Sequence, residues 1–481
     1  MFEVTEYTLA DRSGLKKDVR SLLTTVGLSL LFLGCSIYAF ILFLNAPSLD
    51  LRDSYFALMA AGVYFSASIL LANARHHVYL LEPYVMVTAV YSLVYFFAPL
   101  FMFSIGETAR YGVDVAKYGM AGTLLVVLGH IAFSFGYFVR GNGGDDSAKT
   151  PLYQVSVHRD LLAKVAYVIW LVSAFLVIFY HIGRGFSLGY ILSGGLAGSS
   201  DAGISEGRLQ FLSYFSYSMI SAWLAAACFG RNGFLKLASY TVTIALVFFG
   251  GTRAAILIPL LSPFVLSYLK RRRAPSLLAI GLAVSFLIAL FAVMQVARVG
   301  IRTGSGFSIV GETLASLFEP FRAEIDDFKA FYAVLGVVPA KHDYLLGSTM
   351  IGYSLVILIP RALWPGKPYP ETYEIVRLAF GDYAVKAGVA YPALAEYYVE
   401  FGVVGVAVCM LICGILCRRM KRLYLHADGV SVSLLMYSVL LPALFQFVIR
   451  GYMPQNFTMV LFLIAPLFIL KVINSKLHGS D

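Results

Sequence analysis

Long apolar runs alternate with short polar ones along almost the whole chain. Each run of about 20 apolar residues is long enough to cross roughly 30 Å of hydrocarbon as a helix. The pattern predicts twelve spans, at about 21–45, 54–73, 80–104, 115–139, 161–182, 209–229, 235–250, 253–269, 275–297, 393–417, 430–449 and 457–473. The seventh and eighth lie near the short limit for a crossing. A β-barrel would instead show segments of about 10 residues with alternating polarity. The fold class read from the pattern is therefore an all-α polytopic membrane protein. Between the ninth and tenth spans lie about 95 residues, 298–392, far more than a connector needs.

Composition agrees. Of 481 residues, 59% are hydrophobic and 13% charged, where a soluble domain carries about 25% charged residues. The net charge of +10 is not the mark of a nucleic-acid partner, because Lys and Arg gather in alternate loops. They include Arg12, Lys16, Lys17 and Arg20, the run Lys270-Arg271-Arg272-Arg273, and the cluster Arg418, Arg419, Lys421 and Arg422. Cytoplasmic loops carry such an excess. Both termini are then expected in the cytoplasm. The expected divisions are 1–20, a cytoplasmic segment; 21–297, spans one to nine; 298–392, a large outer loop; 393–473, the last three spans; and 474–481, a cytoplasmic tail. The first apolar run is a full span rather than a cleavable leader.

Polar chemistry concentrates on the outer side. Arg253 follows Gly250 and Gly251; Arg298 and Arg302 leave the ninth span four residues apart; Arg450 precedes Gly451. Arg suits bidentate capture of phosphate oxygens, and it equally suits snorkelling to lipid headgroups. In "FEPFRAEIDDFKAFYAVL", residues 318–335, Pro320 can open a helix on which Arg322 and Asp326 pair at i,i+4. Glu324, Asp326 and Asp327 there are candidate general bases. Glu396 and Glu400 sit one turn apart at the start of the tenth span, where ionisable groups are costly and point to function. Gly402 and Gly405 read as close helix packing.

The stretch "ILIPRALWPGKPYPETYEI", residues 357–375, is the least membrane-like part of the chain. Pro360, Pro365, Pro368 and Pro370 forbid a regular helix. The apolar stretch before it is too short to span and reads as an interfacial or re-entrant helix. Arg361, Trp364 and Lys367 would be held at the membrane surface with little entropy left to lose. Other features are less informative. The outer loop at about 183–208 is Gly/Ser-rich and reads as a cover over a cavity mouth, without the motif of a nucleotide cradle. Cys409, Cys413 and Cys417 share a helix face, as in helix packing. The histidines, His342 in the long loop among them, show no metal-ligand spacing.

Taken in order, "GGTRAA", "FRAEIDDF", "DYLLGSTMIGYSLVILIPRALWPGKP", "AEYYVEFGVVG" and "IRGY" resemble the oligosaccharide repeat-unit polymerases of the Wzy family. The proline-arginine-tryptophan-lysine-proline stretch is the most specific of these; the glutamate-then-FGxxG start of a span is shared with O-antigen ligases. The resemblance implies a membrane-embedded glycosyltransferase of GT-C-like helical architecture. It would sit in the bacterial cytoplasmic (inner) membrane and act on its outer side on glycans carried by undecaprenyl diphosphate. The growing chain would move onto the non-reducing end of a new lipid-linked unit, inverting the anomeric centre without a metal, a cofactor or a nucleotide sugar. Its partners would be lipid-linked oligosaccharides, membrane lipids and a chain-length regulator. Fixed cations aimed at the departing diphosphate are the expected largest catalytic term. Arg253, Arg361, Lys367 and Arg450 are the first candidates, then Arg298, Arg302 and Arg322. A carboxylate would take the acceptor hydroxyl's proton: Glu396 first, then Asp326, Asp327 and Glu400. Trp364 would stack on a sugar face. The alternatives are an O-antigen ligase of the same chemistry and a flippase or other transporter of lipid-linked oligosaccharides.

Overall fold

A computed structural model describes residues 19–76, 81–139, 159–183, 210–250, 253–271, 278–279, 281–283, 285–290, 326–361, 363–382, 392–425 and 431–478. Among these residues nine helices are long and apolar enough to cross a membrane. Lipid offers the backbone no hydrogen-bond partner, so each apolar run closes its own N–H and C=O groups as a helix. The chain begins with α1 (Val19–Leu44) and α2 (Leu49–His76). Next comes α3 (Pro83–Ser104), which carries one π-turn at Leu93–Phe97. A two-residue hairpin of β1 (Ala109–Arg110) and β2 (Val113–Asp114) leads into α4 (Gly119–Phe138). Then follow α5 (Arg159–Gly183), α6 (Phe215–Phe229), α7 (Gly233–Phe249) and α8 (Arg253–Arg271). The long loop contributes α9 (Phe328–Leu335) and α10 (Thr372–Phe380). The last three are α11 (Ala393–Leu425), α12 (Val432–Ile449) and α13 (Met453–His478).

Nine span-length helices are fewer than the twelve spans the sequence predicts. The difference falls at the seventh, eighth and ninth predicted spans, the first two of which are expected near the short limit. α7 has 17 residues, and α8 contains Pro259 and Pro263. Most of the ninth predicted span lies outside the described residues, with a short apolar helix at Gly281–Leu290.

Two apolar cores hold the bundle. The first gathers side chains of α1 to α4, α9, α10 and α11; the second gathers those of α5 to α8, α12 and α13. Met86, Leu444 and Phe445 pack against both, so the two share one seam. Hydrophobic transfer does not drive helices together in lipid, so close approach and polar contacts decide the packing. Where α4 crosses α11, a Cβ on Gly136 or Gly414 would strike a carbonyl of the facing helix. Cys417 belongs to the first core and Cys409 and Cys413 pack against it, as the one-face spacing predicts. At the end of the bundle away from the long loop, Glu82 is buried. Its carboxylate pairs with Lys421 at 2.9 Å and accepts from Tyr137 Oη at 2.9 Å. That pairing ties α3, α4 and α11 together where each would otherwise leave a polar group in hydrocarbon.

Candidate functional site

The other end of the bundle carries the hairpin, the long-loop helices, the start of α11 and the α12–α13 turn. Asp327 lies just before α9 and is 2% exposed. Its Oδ1 receives Arg110 Nη2 at 3.0 Å, and Arg450 Nη1 stands 3.7 Å from Oδ2. Arg110 also donates through Nη1 to the Asp326 carbonyl at 2.9 Å. Lys329 Nζ bridges Asp326 Oδ1 at 2.8 Å and the Ala109 carbonyl at 3.2 Å. The long loop is thereby stitched to the β1–β2 hairpin by charge-assisted bonds, the strong kind. The Arg322–Asp326 pair expected from i,i+4 spacing is not described, since Arg322 lies outside the described residues. Among the described residues, Asp326 pairs with Lys329.

α11 is broken near its start. Phe401 (φ −139°, ψ 16°) and Gly402 (φ 65°, ψ −150°) leave the helical region. The Gly402 conformation is open to glycine alone, so its role is to break the helix rather than to pack against another. The break frees backbone at 399–400 to pair with the loop: Leu345 N donates to Val399 O at 3.1 Å and Leu346 N to Glu400 O at 2.9 Å. The Glu400 carboxylate, 0% exposed, accepts from Gly347 N at 2.7 Å and Met350 N at 2.9 Å. It thus satisfies the orphan N–H groups of the helical turn Ser348–Tyr353. Glu396, one turn earlier, is also 0% exposed. Its Oε1 accepts from Met453 N at 3.3 Å, and its Oε2 has no partner among the described residues.

The proline-rich stretch turns its cations inward. Lys367 Nζ donates to the carbonyls of Ile357 and Ile359, both at 3.0 Å. Burial, and then the neighbouring Arg361, lower the Lys367 pKa. Arg361 donates to the carbonyls of Lys367 and Pro368 and lies 4.3 Å over the Tyr369 ring. Prolines leave carbonyls that no helix can satisfy, and these two side chains supply the missing donors. Ile351, Leu355, Leu358, Ile359, Leu363 and Trp364 are exposed on the same segment. That exposed apolar surface suits the interfacial placement read from the sequence.

Of the predicted site residues, Asp326, Asp327, Glu396, Glu400 and Arg450 meet at this end of the bundle, with Arg361, Trp364 and Lys367 on the adjoining stretch. Arg253 opens α8, and its side chain lies outside the described residues, as do Arg298, Arg302 and the 183–208 loop after its first residue. Sequence reasoning passed over Arg110 and Lys329. Arg110 had a signal: it sits in a loop that the charge pattern leaves poor in cations. The Tyr111-Gly112 pair beside it, both at positive φ, marks a tight hairpin. His342 is half-buried, and its Nδ1 bonds the neighbouring Asp343 carbonyl at 2.7 Å.

The arrangement offers fixed guanidinium groups, a carboxylate oxygen without a partner among the described residues and a braced aromatic segment, all at one end of a helical bundle. Comparisons with curated proteins and with solved structures find no match. The model of the family O-antigen polysaccharide polymerase Wzy matches residues 25–477, nearly the whole chain, and the chain therefore belongs to that family.

Proposed function

We propose that this integral membrane protein lengthens O-antigen or a related exopolysaccharide by moving the growing glycan from its undecaprenyl diphosphate to a hydroxyl on the non-reducing sugar of a new lipid-linked unit. The bond between the anomeric carbon and the diphosphate oxygen breaks, and its electron pair stays on the diphosphate. The new bond forms from the acceptor oxygen, whose proton passes to a carboxylate. Attack from the opposite face inverts the anomeric centre. Fixed guanidinium groups stabilise the departing charge in the manner of a preorganised oxyanion site, so neither nucleotide sugar nor metal is required.

The observation that carries this reading is the meeting of Arg450, Asp327 and Arg110 from three distant segments, with Glu396 bound to Met453 N at the end of the turn that Arg450 opens. Asp327 holds Arg450 in place, and Arg450 is the diphosphate ligand. Arg253 and the loop arginines Arg298, Arg302 and Arg322 remain candidates to complete it. Glu396 keeps one oxygen for the acceptor proton; the Arg450–Met453 turn that covers it must shift as the acceptor enters. Glu400 serves the loop instead of the reaction. Arg361 and Lys367 brace the segment that carries Trp364. The site faces the periplasm, because the opposite end bears the Arg418–Arg422 cluster expected on the cytoplasmic side.

The test is reconstitution. Purified protein in detergent, given cognate lipid-linked repeat units alone, should produce a ladder of longer lipid-linked chains with chelator present and no nucleotide sugar. Unchanged single units would refute the reading. With lipid A core added in a second reaction, transfer of finished chains to it instead would identify a ligase.

A further inference from the structure

Five tyrosines from separate segments gather near Tyr452, whose neighbour Met453 donates its N–H to Glu396. Tyr353 ends the Ser348–Tyr353 turn, Tyr369 lies among the prolines, Tyr373 is on α10, Tyr452 is in the α12–α13 turn and Tyr214 precedes α6. The rings of Tyr353 and Tyr452 lie 6.4 Å apart at 42°, as do those of Tyr369 and Tyr373. Tyr369 and Tyr373 are half exposed, so a molecule from outside can reach the cluster. The hydroxyls of Tyr373 and Tyr452 make no hydrogen bond among the described residues. Burial raises the Tyr452 pKa, with smaller contributions from Tyr353, Tyr373, Glu396 and Tyr214 around it.

We propose that Tyr353, Tyr373 and Tyr452, with Tyr369 at the mouth and Tyr214 behind, form the subsite that binds the terminal sugar rings of the acceptor glycan; the proposal rests on the polymerase reading above. A pyranose ring has an apolar C–H face and a rim of hydroxyls. Tyrosine matches both, with a flat apolar body and a hydroxyl that seeks a partner when partly buried. Tyrosines of an interfacial belt face the headgroups at the lipid boundary. These instead have one another as neighbours, and Tyr452 adjoins Met453, whose N–H binds the carboxylate proposed as base. The charged side chains close by, Lys367 at 5.2 Å over the Tyr353 ring and Arg361 over Tyr369, are occupied by their own carbonyls. They hold the platform rather than a charged ligand. An acceptor hydroxyl bound here would lie beside Glu396.

The test uses the full chain in detergent with two probes: the cognate lipid-linked repeat unit, and the free repeat-unit oligosaccharide released from it by mild acid. Tyr452→Phe removes one hydroxyl and keeps the ring; Tyr373→Leu removes a half-exposed ring. Each should raise the apparent KM for the lipid-linked unit about tenfold, the equivalent of about 1.4 kcal/mol, while kcat changes less. Saturation-transfer NMR should show the free oligosaccharide bound to the wild type and its signal reduced in both variants. Wild-type KM and unchanged oligosaccharide binding in both variants would overturn the subsite and leave the tyrosines as a belt. So would a polymerising wild type that binds no free oligosaccharide. A wild type that binds the oligosaccharide through these tyrosines but forms no polymer supports the subsite and overturns the polymerase reading.

Discussion

The Glu400 carboxylate accepts a hydrogen bond from the backbone N–H of Gly347 at 2.7 Å, across 53 residues of sequence. The loop turn that carries Tyr353 is therefore anchored to the start of α11 by a buried acid. Glu400→Gln replaces one acceptor oxygen with an NH₂ facing an N–H donor. A buried group left unsatisfied costs about 1–3 kcal/mol, so the variant should unfold at a lower temperature in detergent. Polymerisation should fall only in step with that loss. Glu396→Gln should retain wild-type thermal stability more closely and abolish transfer while lipid-linked substrate still binds.

Asp327 and its arginines make a second expectation. Asp327→Asn leaves Arg110 mostly buried without its counter-charge, and breaking such a pair costs about 3–5 kcal/mol. Arg110→Leu combined with Asp327→Leu should recover part of that stability, because the lone charge that remains, Arg450, is the more exposed of the two arginines. Arg450 is more exposed, its side chain 33% accessible. Arg450→Ala should therefore cost less stability than Asp327→Asn yet stop chain growth. Thermal unfolding and glycan ladders on the same preparations separate the two effects.

Helices were legible in the sequence where apolar runs were long. The tenth span is expected from about residue 393, and α11 begins at Ala393. The run sets the helix because lipid leaves the backbone no other choice. Less legible were contacts made across the chain. Glu396 and Glu400 look equivalent by helical spacing, yet one meets the α12–α13 turn and the other the long loop. Arg110 and Asp327 stand 217 residues apart, beyond the reach of any local periodicity. Arg361 and Lys367 read equally well as clamps or braces, because a cation beside prolines does not disclose where its donors point.

Gly402 offers a test of the break in α11. At φ 65° and ψ −150°, an alanine is strained by about 1–3 kcal/mol, and its Cβ would come within 3.1 Å of the Tyr344 ring. Gly402→Ala should straighten the helix and release Leu345 and Leu346 from Val399 and Glu400. Hydrogen exchange at the amides of Leu345, Leu346 and Gly347 should accelerate, and those deeper in α11 should stay protected.

Lys367 distinguishes a brace from a clamp. Its ammonium holds the carbonyls of Ile357 and Ile359 at the point where prolines end the helical turn. Lys367→Met keeps the length and apolar stem of the side chain and removes both donors. A brace predicts that limited proteolysis of the variant cuts within 357–368 faster than in the wild type, and that chain growth falls as this segment loosens. Its apparent affinity for the lipid-linked unit should then weaken together with that for the free, diphosphate-less oligosaccharide. The burial that lowers the Lys367 pKa adds a pH signature. Because the folded value lies below the unfolded one, the charged side chain opposes folding at low pH. That penalty diminishes as pH rises through the folded pKa and is absent above the unfolded value. Over this range the wild type should gain stability relative to Lys367→Met as pH increases. A clamp on diphosphate would leave proteolysis and free-oligosaccharide binding unchanged and weaken only the lipid-linked substrate.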